Sequence, residues 1–440
     1  MPTWTKEQND AILKDKSNII VSAGAGSGKT AVLSERVIRK LKEGVHINEL
    51  LLLTFTNAAA KEMKERIRKK IKKEGLTKEL EMIDQAYITT FDSYALSIVK
   101  KYNYKLNVSK DLSIVDADLI NYEKEKILDT LFEELYKEKN PDFLKLINDF
   151  CVKDDNEIRK YILNISSKLD LIIDLDKYFD EYESNYFSDE YLNNILELYL
   201  NKIREKQENV RLLLENLNHY VDNKYNEKIW ETLKGLLESK TYEEIKSNSE
   251  LKLPPLSKDF SEAKPFKDEI KKETDEIKKL CSYIKLEDAK EEIIKTLAYI
   301  RSIILVIKEL KNRLDNFKYK YNLFEFNDIA KLSIKLLKEN EDIRNEIKYS
   351  LNEIMIDEYQ DTSDMQEAFI SLIENNNVYM VGDIKQSIYR FRNANPYIFK
   401  NKYEKYSNND GGIKIDLNKN FRSREETLLN INTIFNYIMN

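Results

Sequence analysis

The most informative part of this sequence for its fold is Asn18-Ile-Ile-Val-Ser-Ala-Gly-Ala-Gly-Ser-Gly-Lys-Thr30. It opens with a short apolar run, typical of a strand that is buried on both faces of a parallel sheet. A glycine-rich loop ending in Lys-Thr follows, and then Ala31-Val-Leu-Ser-Glu-Arg-Val-Ile38, which favours a helix. A strand, a glycine-rich loop and a helix in this order can surround a phosphate with backbone N–H groups. The stretch therefore predicts a phosphate-binding loop, or P-loop.

The loop offers eight consecutive residues as candidate nucleotide contacts. These residues are Ala23, Gly24, Ala25, Gly26, Ser27, Gly28, Lys29 and Thr30. Lys29 is expected to reach the β- and γ-phosphates of ATP, and the Thr30 hydroxyl is expected to bind Mg²⁺. Alanine stands at position 23, where the strict pattern has glycine, but a small side chain still permits close approach. The alternative is an ordinary glycine-rich turn before a helix; the Lys-Thr pair behind a strand favours the P-loop.

Further apolar runs predict the rest of a parallel sheet. Each is short and is bounded by turn or helix-start residues, as expected for strands covered on both faces. The runs are Glu49–Thr54, Ile354–Asp357 and Val378–Val381. With helices between them, they predict an α/β fold, an open domain built on a parallel sheet.

The long middle of the chain predicts helices. Between Gly75 and Gly382 the only glycine is Gly235, and Lys, Glu and Leu are abundant. Apolar residues recur at helical intervals in 119–136 and 291–314, whereas 247–267 holds three prolines and predicts a loop. A helical insertion of roughly 200 residues is long enough to form a domain. We therefore predict a nucleotide-binding lobe in 1–110 and 321–400, a helical subdomain in 111–320, and the start of a second lobe in 401–440.

Composition argues against several other classes of protein. Two cysteines (Cys151 and Cys281) and two histidines (His46 and His219) cannot build a disulfide framework and argue against a zinc or iron–sulfur site. The net charge of −6 neither indicates nor excludes nucleic-acid binding, because only the field along a binding groove matters. No apolar run reaches the ~18 residues of a membrane helix, and the N-terminus lacks a signal-peptide pattern. We expect a cytoplasmic protein without a membrane contact.

Two adjacent acids end the third apolar run, in Ile354-Met-Ile-Asp-Glu-Tyr-Gln-Asp361. A carboxylate at the end of a buried strand can hold Mg²⁺ (Asp357), while its neighbour (Glu358) orients and deprotonates an attacking water. An Asp-Glu pair by itself is more typical of a solvated loop. The P-loop upstream favours the catalytic interpretation.

Two later segments add groups that suit phosphate and nucleic-acid contacts. Gly382-Asp-Ile-Lys-Gln-Ser-Ile-Tyr-Arg-Phe-Arg392 combines a glutamine, two arginines and two aromatic residues. Such a mixture can sense a phosphate on one side and stack bases on the other. Further on, Asn418-Lys-Asn-Phe-Arg-Ser423 offers Arg422 as a charge that could stabilise a transferring phosphoryl group.

Seven segments in one order resemble the superfamily 1A DNA helicases, the group that includes UvrD, Rep, PcrA, RecB and AddA. They are Trp4-Thr-Lys-Glu-Gln8, the P-loop, Leu53-Thr-Phe-Thr-Asn-Ala-Ala-Ala-Lys-Glu-Met63, Ile88-Thr-Thr-Phe-Asp-Ser93, Asp357-Glu-Tyr-Gln-Asp361, Gly382–Arg392 and Asn420-Phe-Arg-Ser423. The chain looks most like AddA-type helicase–nuclease subunits. That likeness rests on Lys100-Lys-Tyr-Asn-Tyr104, Phe324-Glu-Phe-Asn-Asp328, Val381–Ser387 and Ile415–Arg424. It implies a RecA-like P-loop NTPase lobe, interrupted by the helical insertion, and the start of a second RecA-like lobe.

The resemblance also implies roles for residues outside the P-loop and the acid pair. Gln8 would read the edge of the adenine, and Phe421 would stack on its ring. Gln386 would couple the γ-phosphate to the DNA groove, and Arg422 would be equivalent to an arginine finger. The insertion carries no motif to which a role can be assigned.

Single-stranded DNA would be held by stacking and backbone contacts. The candidates for these contacts are Phe55, Thr56, Asn57, Tyr389 and Phe391. For the three aromatic residues the alternative is packing in the core. Many relatives have histidine where this chain has Asp92, which weakens the expectation of a DNA contact there.

The function implied for the full-length protein is ATP-driven 3′-to-5′ translocation and unwinding of DNA, within a helicase–nuclease that processes double-strand breaks for recombinational repair. Its expected ligands are ATP, Mg²⁺, single-stranded DNA and duplex DNA, and its expected partner is an AddB-type subunit in a heterodimer. The sequence stops at Asn440, before the remaining helicase motifs and the nuclease domain of such proteins. We therefore expect a fragment that binds nucleotide and hydrolyses it poorly.

Three other functions stay open at this point. The chain could belong to a stand-alone UvrD-like or PcrA-like repair helicase, which a C-terminal nuclease domain would distinguish. The fragment could be a non-catalytic module that binds ATP and single-stranded DNA, which turnover measurements would reveal. It could also be a P-loop ATPase unrelated to DNA, which the lack of single-strand binding would favour.

Overall fold

A computed structural model describes residues 4–439 of the chain. The chain up to Lys124 and from Arg313 onwards forms a first unit, and Glu125–Asn312 forms a second. The first unit carries the strands and the candidate site, whereas the second, in which every residue is described, consists of helices and loops. No helix among residues 4–439 is both long enough and apolar enough to cross a bilayer.

Strands of the first unit form one large parallel sheet and one small one. The strands are β1 (Ile19–Ala23), β2 (Leu50–Thr54), β3 (Tyr87–Thr90), β4 (Ser113–Ile114), β5 (Leu323–Phe324), β6 (Glu353–Ile356), β7 (Val378–Gly382) and β8 (Ile413–Leu417). Six of them lie in the order β3-β2-β6-β7-β1-β8, and all neighbours are parallel. β4 and β5 pair separately, also in parallel. All six strands of the large sheet run the same way. The loops after β1, β6 and β7 therefore lie on the same side of the sheet, at the carboxyl ends of the strands.

Helices lie before, between and after these strands along the chain. The helices before residue 117 are α1 (Lys6–Leu13), α2 (Lys29–Lys42), α3 (Asn57–Lys73), α4 (Thr77–Met82), α5 (Phe91–Lys101) and α6 (Asn103–Leu106). Those between β4 and β5 are α7 (Ala117–Glu138), α8 (Pro141–Phe150), α9 (Asn156–Leu169), α10 (Leu175–Asp180), α11 (Tyr182–Tyr186), α12 (Asp189–Leu217), α13 (Asn223–Glu238), α14 (Tyr242–Asn248), α15 (Lys264–Leu280), α16 (Leu286–Lys295) and α17 (Leu297–Tyr321). The remaining helices are α18 (Phe326–Glu339), α19 (Glu341–Ser350), α20 (Asp364–Ile373), α21 (Pro396–Ser407) and α22 (Glu425–Met439).

A buried ion pair fixes α2, the helix after the P-loop, against β6. Arg36 is fully buried and donates to both carboxylate oxygens of Glu353, at 2.9 and 2.5 Å. Its guanidinium also lies 4.3 Å from the ring centroid of Tyr379 on β7. Removing one partner of such a pair leaves an unpaired buried charge, which destabilises a protein strongly. The pair therefore holds the P-loop helix in register with the strand that leads to the two acids.

The second unit has two apolar cores of its own. One joins α12, α13, α14 and α15 and includes Ile203, Leu214, Ile229 and Ile270. The other joins residues of α7 to α10 with residues of α17 and includes Phe132 and Phe143. Basic residues on α12 find partners inside the unit: Lys206 pairs with Glu273 and Glu276, and Arg211 donates to the Leu237 carbonyl.

The predicted α/β fold class is confirmed, and the four apolar runs form β1, β2, β6 and β7. The helical periodicity of 119–136 and 291–314 is confirmed, because these residues lie in α7, α16 and α17, with a break at Thr296. The loop predicted for 247–267 is present only in 249–257. Beyond it the prediction was wrong: 258–263 form a 3₁₀ helix, and Pro265 lies in the first turn of α15, where a missing N–H costs nothing. The predicted domain boundary at residue 401 stays a prediction, and β8, which lies beyond it, pairs with β1.

Candidate functional site

The loop between β1 and α2 is shaped by two glycines in the left-handed region. Gly26 has φ 76° and Gly28 has φ 87°, a conformation that strains any side-chain-bearing residue. α2 begins at Lys29, directly after Gly28, so the unpaired N–H groups of its first turn lie at the loop. Ser27 is 2% exposed, and its hydroxyl has no hydrogen-bond partner among residues 4–439. The loop thus presents N–H donors and the positive end of a helix, which suit an anion.

Gln8 lies against this loop. It is the third residue of α1 and forms a capping box with Thr5, in which its Oε1 accepts from the Thr5 N–H at 3.0 Å. Its Nε2 donates to the Ser27 carbonyl at 3.0 Å, and the side chain is buried. Both ends of the amide therefore already bond to the protein. The predicted contact of Gln8 with adenine stays a prediction.

The segment after β8 returns to the same loop. The Asn420 side chain donates to the Ala25 carbonyl at 2.7 Å, and the Phe421 N–H donates to the Gly26 carbonyl at 2.8 Å. Phe421 and Arg422 are both exposed. The structure thus brings these two predicted nucleotide contacts next to the P-loop.

Lys29 faces the acid pair that follows β6. Its Nζ lies 3.1 Å from Oε2 of Glu358, which also accepts from Nε2 of Gln360 at 2.9 Å. Asp357 is anchored by its N–H, which donates to the Leu53 carbonyl of β2 at 2.9 Å. Glu358 has φ 53°, a left-handed conformation that costs a non-glycine residue roughly 1–2 kcal/mol. Such strain persists where neighbouring contacts hold it, and it is common at functional sites.

Two carboxyls near Lys29 have raised pKa values. Burial, followed by the charge of Glu358, raises the pKa of Asp357 to about 6, although Lys29 opposes the shift. The same two causes raise the pKa of Asp361 to about 6. Both shifts come first from burial and second from the neighbouring Glu358 carboxylate, and Lys29 offsets only part of them. A cation bound here would favour the ionised form of both carboxyls.

The available ligands fit Mg²⁺ that arrives with a nucleotide. Thr30 and Asp357 supply a hydroxyl and a carboxylate, and Mg²⁺ commonly takes one or two carboxylates together with phosphates and water. In the described part of the chain, no three His, Cys, Asp or Glu side chains are grouped so that they could hold a metal. Thr30 and Asp357 therefore suit a metal ion that is shared with phosphates.

Three aromatic rings lie together, one from the loop after β2 and two from the segment after β7. Phe55 and Tyr389 are half-buried. The rings of Phe55 and Tyr389 are 4.5 Å apart, and those of Tyr389 and Phe391 are 5.8 Å apart. The Arg392 guanidinium lies between 5.6 and 5.9 Å from all three ring centroids. We call these four residues the aromatic cluster. Phe391 is 76% exposed, which excludes core packing for that residue.

Other predicted site residues lie near or within these groups. Gln386 donates from Nε2 to Oδ2 of Asp383 at 2.7 Å, in the segment that joins β7 to the aromatic cluster. Thr56 caps α3 by accepting from the Ala59 N–H at 3.1 Å, and Asn57 is the first residue of that helix. The DNA contacts of Thr56 and Asn57 stay predictions. Burial raises the pKa of Asp92, at the start of α5.

Sequence reasoning assigned no role to several residues that the structure places at the site. They are Gln360, Asp361, Asp383, Arg392 and Asn420. All lie inside segments that the motifs already marked. Three contacts among them join different loops: Gln360 with Asp383, Arg392 with Phe55, and Asn420 with Ala25. The local pattern gives no signal for such contacts.

A P-loop whose lysine faces an Asp-Glu pair, at one edge of a parallel sheet, defines a P-loop nucleoside triphosphatase. The sequence profile of the UvrD/REP helicase N-terminal domain matches residues 4–407, and the chain belongs to this family.

Curated relatives extend well beyond this chain. A protein from Clostridium beijerinckii, named as a subunit of an ATP-dependent helicase/nuclease, is 32% identical over 99% of the chain and 39% of its own length. Proteins of the same name from Clostridium kluyveri and Lactobacillus johnsonii are 32% and 31% identical, over 99% and 100% of the chain. The chain spans 39% and 40% of those two relatives.

Proposed function

We propose that the chain is the ATP-binding motor portion of a 3′-to-5′ DNA helicase that works within a helicase–nuclease and processes double-strand breaks. The observation that carries the proposal is the placement of Tyr389, Phe391 and Arg392 of the aromatic cluster on the segment that starts beside the P-loop and the acid pair. ATP chemistry and base stacking are thereby joined within one unit. The names of the relatives support the helicase–nuclease assignment, and an AddB-type partner subunit is part of the same proposal.

Lys29 and Glu358 would exchange partners when ATP binds. In the structure they form an ion pair at 3.1 Å. A bound γ-phosphate would take the Lys29 ammonium, which frees Glu358 to orient and deprotonate a water. Thr30 and Asp357 would hold Mg²⁺, which offsets phosphate charge when bound. The buried Ser27 hydroxyl, which lacks a partner among the described residues, could donate to a phosphate oxygen.

Four residues complete the proposed nucleotide contacts. Gln8 and Phe421 would contact the adenine, Gln386 would sense the γ-phosphate, and Arg422 would stabilise charge on the transferring group. The aromatic cluster would stack bases of single-stranded DNA, a mode of binding that tolerates any base. Arg392 would add a positive charge beside the rings, close to the DNA backbone.

The test is binding and turnover by this chain, with Lys29→Ala and with Lys42→Ala as the matched control. Lys42 lies at the other end of α2 and pairs with Glu74. We expect the chain to bind MgATP and labelled oligo(dT). Losing a charged hydrogen bond of roughly 1.5–3 kcal/mol would weaken ATP binding in Lys29→Ala by about 10- to 150-fold. We expect Lys42→Ala to behave as the wild type.

Two other outcomes separate the remaining functions. ATP binding without single-strand binding would favour an ATPase unrelated to DNA. Binding of both ligands without DNA-stimulated hydrolysis would favour a non-catalytic module. A chain that binds neither MgATP nor oligo(dT) would overturn the proposal.

A further inference from the structure

Gln360 is almost completely buried and uses both ends of its side-chain amide at the candidate site. Its Nε2 donates to Oε2 of Glu358 at 2.9 Å and to Oδ2 of Asp361 at 3.1 Å. Its Oε1 accepts from the Asp383 N–H at 2.9 Å. One side chain thus bridges the loop after β6 and the loop after β7.

The bridge continues towards the aromatic cluster. The carboxylate of Asp383 accepts from Nε2 of Gln386 at 2.7 Å and from the Lys385 N–H at 3.1 Å. The Ser387 hydroxyl donates to the backbone carbonyl of Gln360 at 3.3 Å. Tyr389, which contacts Phe55, follows two residues later. An unbroken path of hydrogen bonds therefore runs from Glu358 through Gln360 and Asp383 to Gln386.

The backbone around Gln360 is fitted to this arrangement. A Cβ at Gly382 would clash with Oε1 of Gln360 and would approach the Phe399 ring to 3.0 Å. Glycine at the end of β7 therefore lets the amide reach the Asp383 N–H. Because the amide is buried, displacing it would leave hydrogen-bonding groups of both loops without a partner, which is costly.

We propose that Gln360 is a positioning residue that couples the nucleotide site to the single-strand site. It acts through Glu358 and Asp383 and does not itself touch either ligand. A γ-phosphate that draws Lys29 away from Glu358 changes the charge beside Nε2 of Gln360. The hydrogen bond from the Asp383 N–H transmits the resulting shift to Gln386 and to the aromatic cluster. The inference rests on the proposed function, since it requires both ligands.

The experiment measures how a non-hydrolysable ATP analogue, AMP-PNP with Mg²⁺, changes the Kd of the chain for labelled oligo(dT). Coupling between two sites is typically about 5- to 150-fold in affinity, and we expect the wild type to lie in that range. In Gln360→Met, which keeps the length of the side chain and removes its polar atoms, we expect the ratio of the two Kd values to fall to within about twofold of one. Each ligand bound alone should keep an affinity close to that of the wild type.

A second variant breaks the path at another point. Asp383 is only half-buried, so we expect Asp383→Ala to fold. This variant should abolish the coupling to the same degree as Gln360→Met. If both residues lie on one path, the double variant loses no more coupling than either single variant. Gln207→Met is the matched control, because Gln207 is a buried glutamine of the second unit that bonds to the carbonyls of Leu236 and Ser239. Melting temperatures show whether a variant has lost coupling because it is unfolded.

The outcomes distinguish the coupling from the proposed function. Wild-type coupling in folded Gln360→Met, or a wild type that binds both ligands with a ratio of one, would overturn the role of Gln360 and leave the binding sites in place. Greater loss in the double variant than in either single variant would contradict a single path. A wild type that binds neither ligand would remove the proposed function, and the coupling with it.

Discussion

Asp361 carries a buried charge whose effect on stability depends on pH. Its side chain is buried beside Gln360, and burial and the Glu358 charge raise its pKa to about 6. An ordinary aspartate has a pKa of about 3.9. The folded protein therefore binds a proton more tightly than the unfolded chain does. Above about pH 6 the ionised carboxylate destabilises the fold, and this penalty disappears as the pH falls from about 6 to about 4.

Asp361→Asn should remove that penalty. We expect the free energy of unfolding to rise by roughly 1–3 kcal/mol at pH 7.5, and the gain to shrink towards pH 4. Urea unfolding at several pH values measures it. Asp410→Asn, at an exposed aspartate, is the control and should change stability little. A gain that is the same at pH 4 and pH 7.5 would refute the electrostatic explanation.

Phe391 tests the aromatic cluster at a residue that the fold does not need. Because 76% of it is exposed, Phe391→Ala should leave the melting temperature almost unchanged. Stacking on one aromatic residue contributes about 1–3 kcal/mol per base, so the affinity for oligo(dT) should fall about 5- to 150-fold.

Tyr349→Ala is the matched control for Phe391. Tyr349 is 71% exposed and lies on α19, outside the aromatic cluster. Its removal should not affect DNA binding. Equal losses in the two variants would mean that the cluster is not a stacking surface.

The site residues that could be predicted from the sequence are those that belong to a local sequence motif. Lys29, Asp357 and Glu358 are recognisable because a P-loop and an acid pair have fixed spacing along the chain. Gln360 and Arg392 each have one partner that lies far away in sequence, the Asp383 N–H and the Phe55 ring. A single glutamine or arginine carries no local signal of that kind, so its contacts can be found only from the structure.

At the scale of elements, the P-loop depends on the conformation of Gly26. A Cβ there would require a strained left-handed backbone and would also meet Asn420 at 2.8 Å and Arg422 at 2.7 Å. Gly75, with φ 72°, has almost the same backbone conformation but nothing within 4 Å of such a Cβ. The two glycines therefore separate backbone strain from the contact with the segment after β8.

Both Gly26→Ala and Gly75→Ala should lose stability from strain, by roughly 1–2 kcal/mol. Only Gly26→Ala should also displace Asn420 and Phe421 from the loop. We expect its affinity for MgATP to fall at least about tenfold, because backbone N–H groups that bind phosphate need close positioning. Isothermal titration with AMP-PNP compares the two variants. Equal nucleotide affinity in both would show that the segment after β8 plays no part in the nucleotide site.

Sequence reasoning missed the two-residue strands β4 and β5 and the two outermost strands of the large sheet. The central strands β2, β6 and β7 are buried at every position, which gives the continuous apolar runs that were recognised. β3 and β8 lie at the edges and alternate between buried and more exposed positions. Their sequences, Tyr87-Ile-Thr-Thr90 and Ile413-Lys-Ile-Asp-Leu417, mix polar and apolar residues for that reason.

At the scale of the whole molecule, the division into two units predicts that the second can fold alone. Its two apolar cores draw all their buried residues from within 125–312. A segment of this length with its own cores has the anatomy of an independent domain. We expect residues 125–312, expressed alone, to show helical circular dichroism and cooperative unfolding in urea.

Two leucines of α12 make that prediction specific. Leu214 is 3% exposed and belongs to the core of α12 to α15, whereas Leu212 on the same helix is 50% exposed. In the isolated unit, Leu214→Ala should lose about 2–5 kcal/mol of unfolding free energy, because it leaves a cavity. Leu212→Ala should change it by no more than about 0.5 kcal/mol. Equal effects, or a gradual transition in the parent segment, would mean that these cores need the rest of the chain to pack.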